Sequence, residues 1–263
     1  MSNQQPPKFF DGGGYEKMMG RWSLVAGARF LEFLQPDQEA CWLDVGCGNG
    51  AFSELLFKQA GASRVHGIDP SEGLLETART RLDGYEASLT QGDAQSLHYG
   101  DNEFDASVMA LVINFIPDPA KAVGEMVRVT KPGGSVSSYI WDIEGGGFTM
   151  EPIRRALKQF DIDAPVTGPE KATRAYMGDL WRAVGLLDVE TTRIEVPLHY
   201  DNFEDFWNSN TGIPNSVANA VNKLADSDVT KLKRNLVETL KTADTESISY
   251  VAAVNAVKGR VAD

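Results

Sequence analysis

Cysteine is scarce in this chain: Cys41 and Cys47 are the two in 263 residues. Two thiols are too few for a disulfide framework or a zinc site, so the expectation is a reducing, cytoplasmic setting and no metal. Histidine is nearly as rare, at three residues. No apolar run approaches the roughly 20 residues that a membrane span needs. The opening MSNQQPPKFF has neither the charged region nor the apolar region of a signal peptide and reads as a flexible leader. Basic residues are outnumbered, 25 Lys and Arg against 37 Asp and Glu, for a formal charge of −12. A nucleic-acid backbone needs a basic footprint, so that class of partner is set aside in favour of a small molecule.

What is present is an alternation of β-rich runs and helical patterns, the mark of a parallel sheet covered on both faces. Cys41–Val45 reads as a first strand, and a helix over 50–60 follows, with Phe52, Leu55 and Leu56 on one face. SRVHGIDP gives a second strand closing at Asp69, and a helix starts at Ser71. ASLTQGDA and FDASVMALVI are the third and fourth strands; Asp118 and Pro119 open a helix that runs to Arg128 and is ended by KPGG. SVSSYIWD, DVETTRIEV and SISYVAAVNAV complete the strands. Two stretches break the rhythm and read as insertions: 143–185, opening near three glycines, and 199–245, with an aromatic cluster followed by helical patterns over 215–225 and 228–241.

The segment CWLDVGCGNGAFSELL places Gly46, Gly48 and Gly50 between a strand and a helix. Such a turn lets a ligand touch main-chain N–H groups at a helix start. Gly46-x-Gly48-x-x-Ala51, with Asp69 about 20 positions on, satisfies the relaxed dinucleotide pattern, so a nicotinamide-dependent oxidoreductase stays open at this point. No Gly-Lys-Ser/Thr follows, which excludes a P-loop. A tight turn with no ligand is the bland alternative.

Taken in order, LDVGCGNG, GIDPSEGLLETAR, GDAQSLHYGDNEFDASVMALVINFIPD and VTKPGG resemble class I S-adenosylmethionine-dependent methyltransferases. Within that superfamily the chain is similar to the small-molecule group that includes the ubiquinone/menaquinone C-methyltransferases. The resemblance covers roughly Cys41 to Ser138, and YEKMMGRWS is similar to the lead-in helix of many bacterial members. It implies an α/β fold: a Rossmann-like seven-stranded, mostly parallel sheet flanked by helices, with an antiparallel last strand and a helical cap insertion. The organisation expected is a single domain over 1–263: an N-terminal lid over 1–38, a cofactor-binding core over 39–142, and substrate-side insertions over 143–185 and 199–245.

The cofactor implied is S-adenosyl-L-methionine, and the product S-adenosyl-L-homocysteine. Asp69 would accept both ribose hydroxyls, which suits a carboxylate with two acceptor oxygens. Pro70 follows it; Asp93 would take the adenine amino group and the Ala94 N–H the ring. Gly46, Cys47 and Gly48, with the carbonyl near Ala110, would hold the methionine part, and Asp44 would orient the turn. Cys47 reads as a small lining residue. Arg21 could pair with the methionine carboxylate, with Tyr15, Met19 and Trp22 as lid contacts. Transfer is an in-line displacement driven by positioning, with His98 and His199 as candidate bases and His66 structural. Ligands of open parallel sheets bind at the carboxyl ends of the strands. Acceptor-pocket candidates there are Asn114, Phe115, Tyr139 and Trp141, joined by the cap aromatics Phe203 and Trp207. A catalytically silent binder of the same cofactor is the third class, and the oligomeric state expected is monomer or homodimer.

Overall fold

The computed structural model describes residues 21–212, 214–240 and 246–263. Tyr15 and Met19 lie outside the described residues. The strands are β1 (Cys41–Val45), β2 (Arg64–Asp69), β3 (Ala87–Gln91), β4 (Phe104–Ala110), β5 (Thr130–Trp141), β6 (Leu187–Tyr200) and β7 (Ile248–Arg260). The helices that flank the core are α1 (Arg21–Leu34), α2 (Ala51–Ala60), α3 (Glu72–Arg81) and α4 (Pro119–Val129). Those that follow are α5 (Glu151–Leu157), α6 (Arg174–Ala183), α7 (Phe203–Thr211), α8 (Ser216–Val221) and α9 (Asp226–Leu240).

Among the described residues, seven strands form one sheet in the order β3-β2-β1-β4-β5-β7-β6. The pairings from β3 across to β5 are parallel, while β7 runs antiparallel between β5 and β6. The chain leaves β1 toward β2 on one side and returns to β4 on the other. That reversal opens a crevice above the carboxyl ends of β1 and β4, where open α/β sheets bind ligands.

Local chemistry accounts for the helices that frame this crevice. Asp118 caps α4 by accepting from the Lys121 N–H at 3.1 Å, and Pro119 fills the first turn. Helix α2 is entered through Gly50, which offers no capping side chain, and leaves through Gly61 in the left-handed region. α1 buries Trp22, Ala26, Phe30 and Leu34 along one face, the i, i+4, i+8, i+12 spacing of a helix laid on a core.

KPGG does not end the segment before β5; it is part of the strand. Thr130 pairs with Phe104 and Ser135 with Ala106, a register shift that absorbs the extra residues. The Gly133 N–H donates to the Val261 carbonyl, and the Val261 N–H to the Gly134 carbonyl. β3 stops at Gln91 and β4 at Ala110, short of the sequence patterns, whereas β6 runs on through Pro197 to Tyr200. Proline is tolerated there because β6 is an edge strand. Trp141 faces Val254, but β6 and β7 stay paired as far as Tyr200 and Ile248. This two-stranded ribbon therefore projects roughly 20 Å past the end of β5, at ~3.4 Å per residue.

Helices α5, α7, α8 and α9 pack on one another as a cap beside this ribbon, whereas α6, within the first of the two stretches read as insertions, lies on the sheet with Trp181 Nε1 donating to the Val136 carbonyl of β5 at 2.9 Å. The aromatic cluster after β6 is a helix, α7, capped by Asn202, which accepts from the Asp205 N–H at 2.9 Å. Trp207 is buried there against Phe203, with centroids 6.1 Å apart, and Lys233 of α9 lies 4.7 Å over its ring. No described helix is long and apolar enough to cross a membrane.

Candidate active site

The turn after β1 has φ values of +77° at Gly46 and +54° at Gly48. Side-chain-bearing residues adopt such values rarely, and the two glycines are needed for different reasons. A Cβ on Gly46 would lie 2.6 Å from a Val112 methyl, so this glycine lets the turn close on the segment after β4. A Cβ on Gly48 would meet nothing within 4 Å. Its missing side chain leaves bare main chain facing open space, as a ligand requires. Gly46→Ala is therefore expected to lower thermal stability clearly, by several kcal/mol from overpacking plus left-handed strain. Gly48→Ala is expected to cost only about 1 kcal/mol while weakening S-adenosyl-L-homocysteine binding at least about tenfold. Thermal melts and titration calorimetry on the two variants check the contrast.

Two carboxylates stand on either side of this turn. Asp69, at the end of β2, accepts from the Gly48 N–H at 2.9 Å through Oδ2 and from the Ser71 N–H at 2.8 Å through Oδ1. Each oxygen keeps a lone pair for a ligand hydroxyl. Burial pushes the Asp69 pKa up, and the two main-chain N–H donors oppose that shift.

Asp44, one residue before the end of β1, is 0% exposed. Its Oδ2 accepts from the Ser53 hydroxyl of α2 at 2.6 Å, and its Oδ1 has no partner. Burial pushes its pKa up to about 7; Ser53 works against this and the Asp69 charge adds to it. A buried carboxylate with an orphan oxygen is costly to the fold, and such costs concentrate where function needs them. Ser53 was not anticipated from the sequence. Its signal is a hydroxyl on the buried face of a helix, between Phe52 and Leu55.

The opposite wall comes from β4. Leu111 has φ +62°, unusual for a bulky residue, with its N–H on the Tyr139 carbonyl at 2.9 Å. A short 3-10 turn, Ile113–Phe115, follows. Buried Asn114 donates through Nδ2 to the Thr167 carbonyl at 3.0 Å, and its Oδ1 is unpartnered. Phe115 is 41% exposed. Trp141, at the end of β5, is buried with its Nε1 unpartnered.

The other candidates fall differently. Tyr139 is not a pocket wall: its ring lies 4.5 Å from Phe30 and 5.6 Å from Phe52, centroid to centroid. Turning it toward a ligand would expose roughly 200 Å², about 5 kcal/mol at ~25 cal/mol/Å², against the ~1 kcal/mol that a hydrogen bond returns. Phe203 and Trp207 likewise belong to the packing of the cap. Arg21 donates to the His199 carbonyl at 3.1 Å and to Asp205 Oδ2 at 3.2 Å, and stacks over Trp22 and Tyr200. Its cation thus ties α1 to the start of α7. Asp93 holds the Gln95 main-chain N–H at 2.9 Å and the Gln95 amide. Pro70 is exposed, its carbonyl accepting from Gln91; Ala94 is buried and Ala110 half-buried.

His199 shares Nδ1 with the Ser249 hydroxyl at 2.9 Å, and His98 is exposed. His66 packs edge-on against Tyr99 and Phe104 in β2. The Cys47 thiol is buried and pushed well up by that burial, which keeps it protonated and unreactive. Among the described residues, no group of three or more His, Cys, Asp or Glu side chains converges to hold a metal ion.

The strand order, the glycine turn and the acid ending the second strand define a class I methyltransferase fold. Residues 43–138 match the family described as methyltransferase domain. Over this segment, well under half of the chain, the protein is similar to methyltransferases. An uncharacterized protein of Mycobacterium tuberculosis is 31% identical over 180 residues, which is 65% of this chain and 63% of that protein. The demethylmenaquinone methyltransferase of Desulfitobacterium hafniense is 39% identical over 101 residues, 36% of this chain and 40% of that enzyme. The chain thus spans less than two thirds of the length of these curated relatives. Phosphoethanolamine N-methyltransferase 2 of Haemonchus contortus, solved with S-adenosyl-L-methionine, superposes with a TM-score of 0.58 at 18% identity, over 95% of this chain and 56% of that one. A methyltransferase from Aquifex aeolicus superposes with a TM-score of 0.53 at 21% identity, over 71% of this chain and 93% of that one. At these identities the superpositions speak for the fold.

Proposed function

We propose that this chain transfers the methyl group of S-adenosyl-L-methionine to a small-molecule acceptor bound beneath the cap. The observation that carries the reading is the pair of buried acids around the turn, Asp69 with spare lone pairs and Asp44 with an unpartnered oxygen. Both call for a ligand rich in hydroxyl and cationic donors. Asp69 takes the ribose hydroxyls; Asp44 Oδ1 takes the methionine ammonium, directly or through one water. This enlarges the part read for Asp44 from sequence, where it only orients the turn. The Gly46–Gly48 main chain supports the methionine part. Asp93 takes the adenine amino group once the Gln95 amide releases it, and the Ala94 N–H meets the ring.

When bound, the sulfonium supplies an electrophilic methyl: its carbon–sulfur bond breaks as the bond to the acceptor forms, and the electron pair stays on sulfur. The protein's part is alignment and exclusion of water, which leaves no need for a covalent protein intermediate. Acceptor candidates at the strand ends are Asn114, Phe115 and Trp141. His98 and His199 remain the candidate bases, and Arg21 closes α1 on the cap. The acidic surface supports a small molecule over a nucleic acid.

Titration calorimetry of the full chain with S-adenosyl-L-homocysteine tests the reading. One-to-one binding is expected, with none for NADH. Absence of heat with both the product and the methyl donor would sink it.

A further inference from the structure

A cavity of about 320 Å³ lies inside the cap between α5, α9 and the start of β7. Phe148, Ala156, Leu236, Leu240, Tyr250 and Val251 give it an apolar wall. Val251 is 56% exposed, one of the three large exposed hydrophobic residues among those described. An apolar side chain left wet on a strand, beside a wall of apolar groups, marks a surface that a ligand covers.

Glu151, Arg155, Gln159, Asn235 and Thr239 line the rest of the hollow, and the charged pair and the two amides among them bond to each other. Arg155 Nε donates to Glu151 Oε1 at 2.9 Å, and the Asn235 amide to Gln159 Oε1 at 3.0 Å. No unpaired charge faces the hollow from these groups, so an ionic ligand would lose its hydration without compensation. The wall is also pre-built: the Tyr250 hydroxyl donates to the Thr149 carbonyl and meets the Tyr200 hydroxyl, and the Tyr200 ring stands edge-on to Trp22 of α1, with centroids 5.3 Å apart. The volume is at the low end of the ~300–1,000 Å³ range of small-molecule pockets.

The cavity lies near the end of β5, the strand next to β4 at the crevice. Gly146 lines it, five residues beyond Trp141 at the end of β5. Even a fully extended chain spans at most ~18 Å over that separation, and the Gly147 N–H folds the turn back on the Asp142 carbonyl at 2.7 Å.

We infer that this cavity binds an uncharged, apolar ligand and, resting on the methyl-transfer reading, that it holds the apolar body of the acceptor while its nucleophile reaches the crevice. The test uses the neutral fluorophore N-phenyl-1-naphthylamine on the full chain. Saturable one-site binding is expected, weakened at least about tenfold in Ala156→Trp, which fills the cavity. Thr80→Trp on the outer face of α3 should leave it unchanged. Should Ala156→Trp not fold, Val251→Asp places a charge on the exposed wall and should produce the same loss. Non-saturable fluorescence in the wild type, or equal affinity in either folded variant, overturns the inference. S-adenosyl-L-homocysteine calorimetry on the same proteins separates the two readings: fluorophore loss with product binding retained supports the cavity. Failure of product binding in the wild type strikes the methyl-transfer reading, and with it the assignment of the occupant as an acceptor.

Discussion

Asp69→Ala lowers the affinity for S-adenosyl-L-homocysteine at least about 100-fold, the largest single effect expected in this protein. On the proposed reading, the substitution removes two charge-assisted hydrogen bonds to the ribose, each worth roughly 1.5–3 kcal/mol. It also frees the Gly48 N–H, which Asp69 Oδ2 holds at 2.9 Å, so the turn loses the brace that sets its shape. The fold tolerates the change better than binding does. Two main-chain N–H groups lose a partner, but a carboxylate whose ionisation burial opposes goes with them. A loss of about 1–2 kcal/mol in stability is expected. Calorimetry of binding and a denaturant melt on the same variant read the two quantities apart; a product affinity within a few-fold of wild type would remove Asp69 from the site.

Asp44→Asn is expected to bind the product more weakly yet to be the more stable protein at alkaline pH. With its pKa raised to about 7 from the ordinary 3.8, Asp44 holds a proton in the folded state that the unfolded chain has given up. The sign follows: its contribution to stability is fully present below about pH 4 and is lost as pH rises through 7. The span is about 4 kcal/mol at ~1.4 kcal/mol per pKa unit. Asparagine keeps an acceptor for the Ser53 hydroxyl and carries no charge, but its amide nitrogen inherits the place of the unpartnered Oδ1. A net gain of about 1–3 kcal/mol at pH 8, and none at pH 5, is therefore expected.

Binding runs the other way. A cationic ammonium favours the ionised carboxylate, so wild-type affinity should rise roughly 10- to 30-fold from pH 5.5 to pH 7.5, with proton release on binding. The groups facing Asp44 are the Ser53 hydroxyl, which does not titrate in this range, the Cys47 thiol, held protonated by burial, and Asp69. Asp44→Asn should lose most of the pH dependence along with about 10- to 100-fold of affinity. Melts at the two pH values and calorimetry in buffers of different ionisation enthalpy measure both halves. A variant with unchanged affinity and a parallel pH profile would mean that the buried acid serves the fold alone.

Much of this site could be read from residue order, because short-range chemistry places it. The Cys41–Val45 strand, the glycines after it, the acid closing the next strand, and the Asp118–Pro119 helix start all depend on residues within a few positions of one another. Backbone preference and capping act at that range. The start of α7 is locally coded as well: Asn202 caps the helix and Glu204 and Asp205 fall in its first turn.

The amino-acid sequence by itself determined the alternation of strands and helices, the glycine turn with its flanking acids, and the acidic surface. Only the tertiary structure decided where the aromatic residues went. Tyr139 packs between α1 and α2 and Trp207 inside the cap, because burial of large apolar area outweighs any local preference for a ligand. It also decided that Asp44 has one oxygen without a partner, that KPGG joins β5 through a register shift, and that a hollow remains between α5, α9 and β7. Each of these depends on groups far apart along the chain meeting in space, and no local pattern records such a meeting.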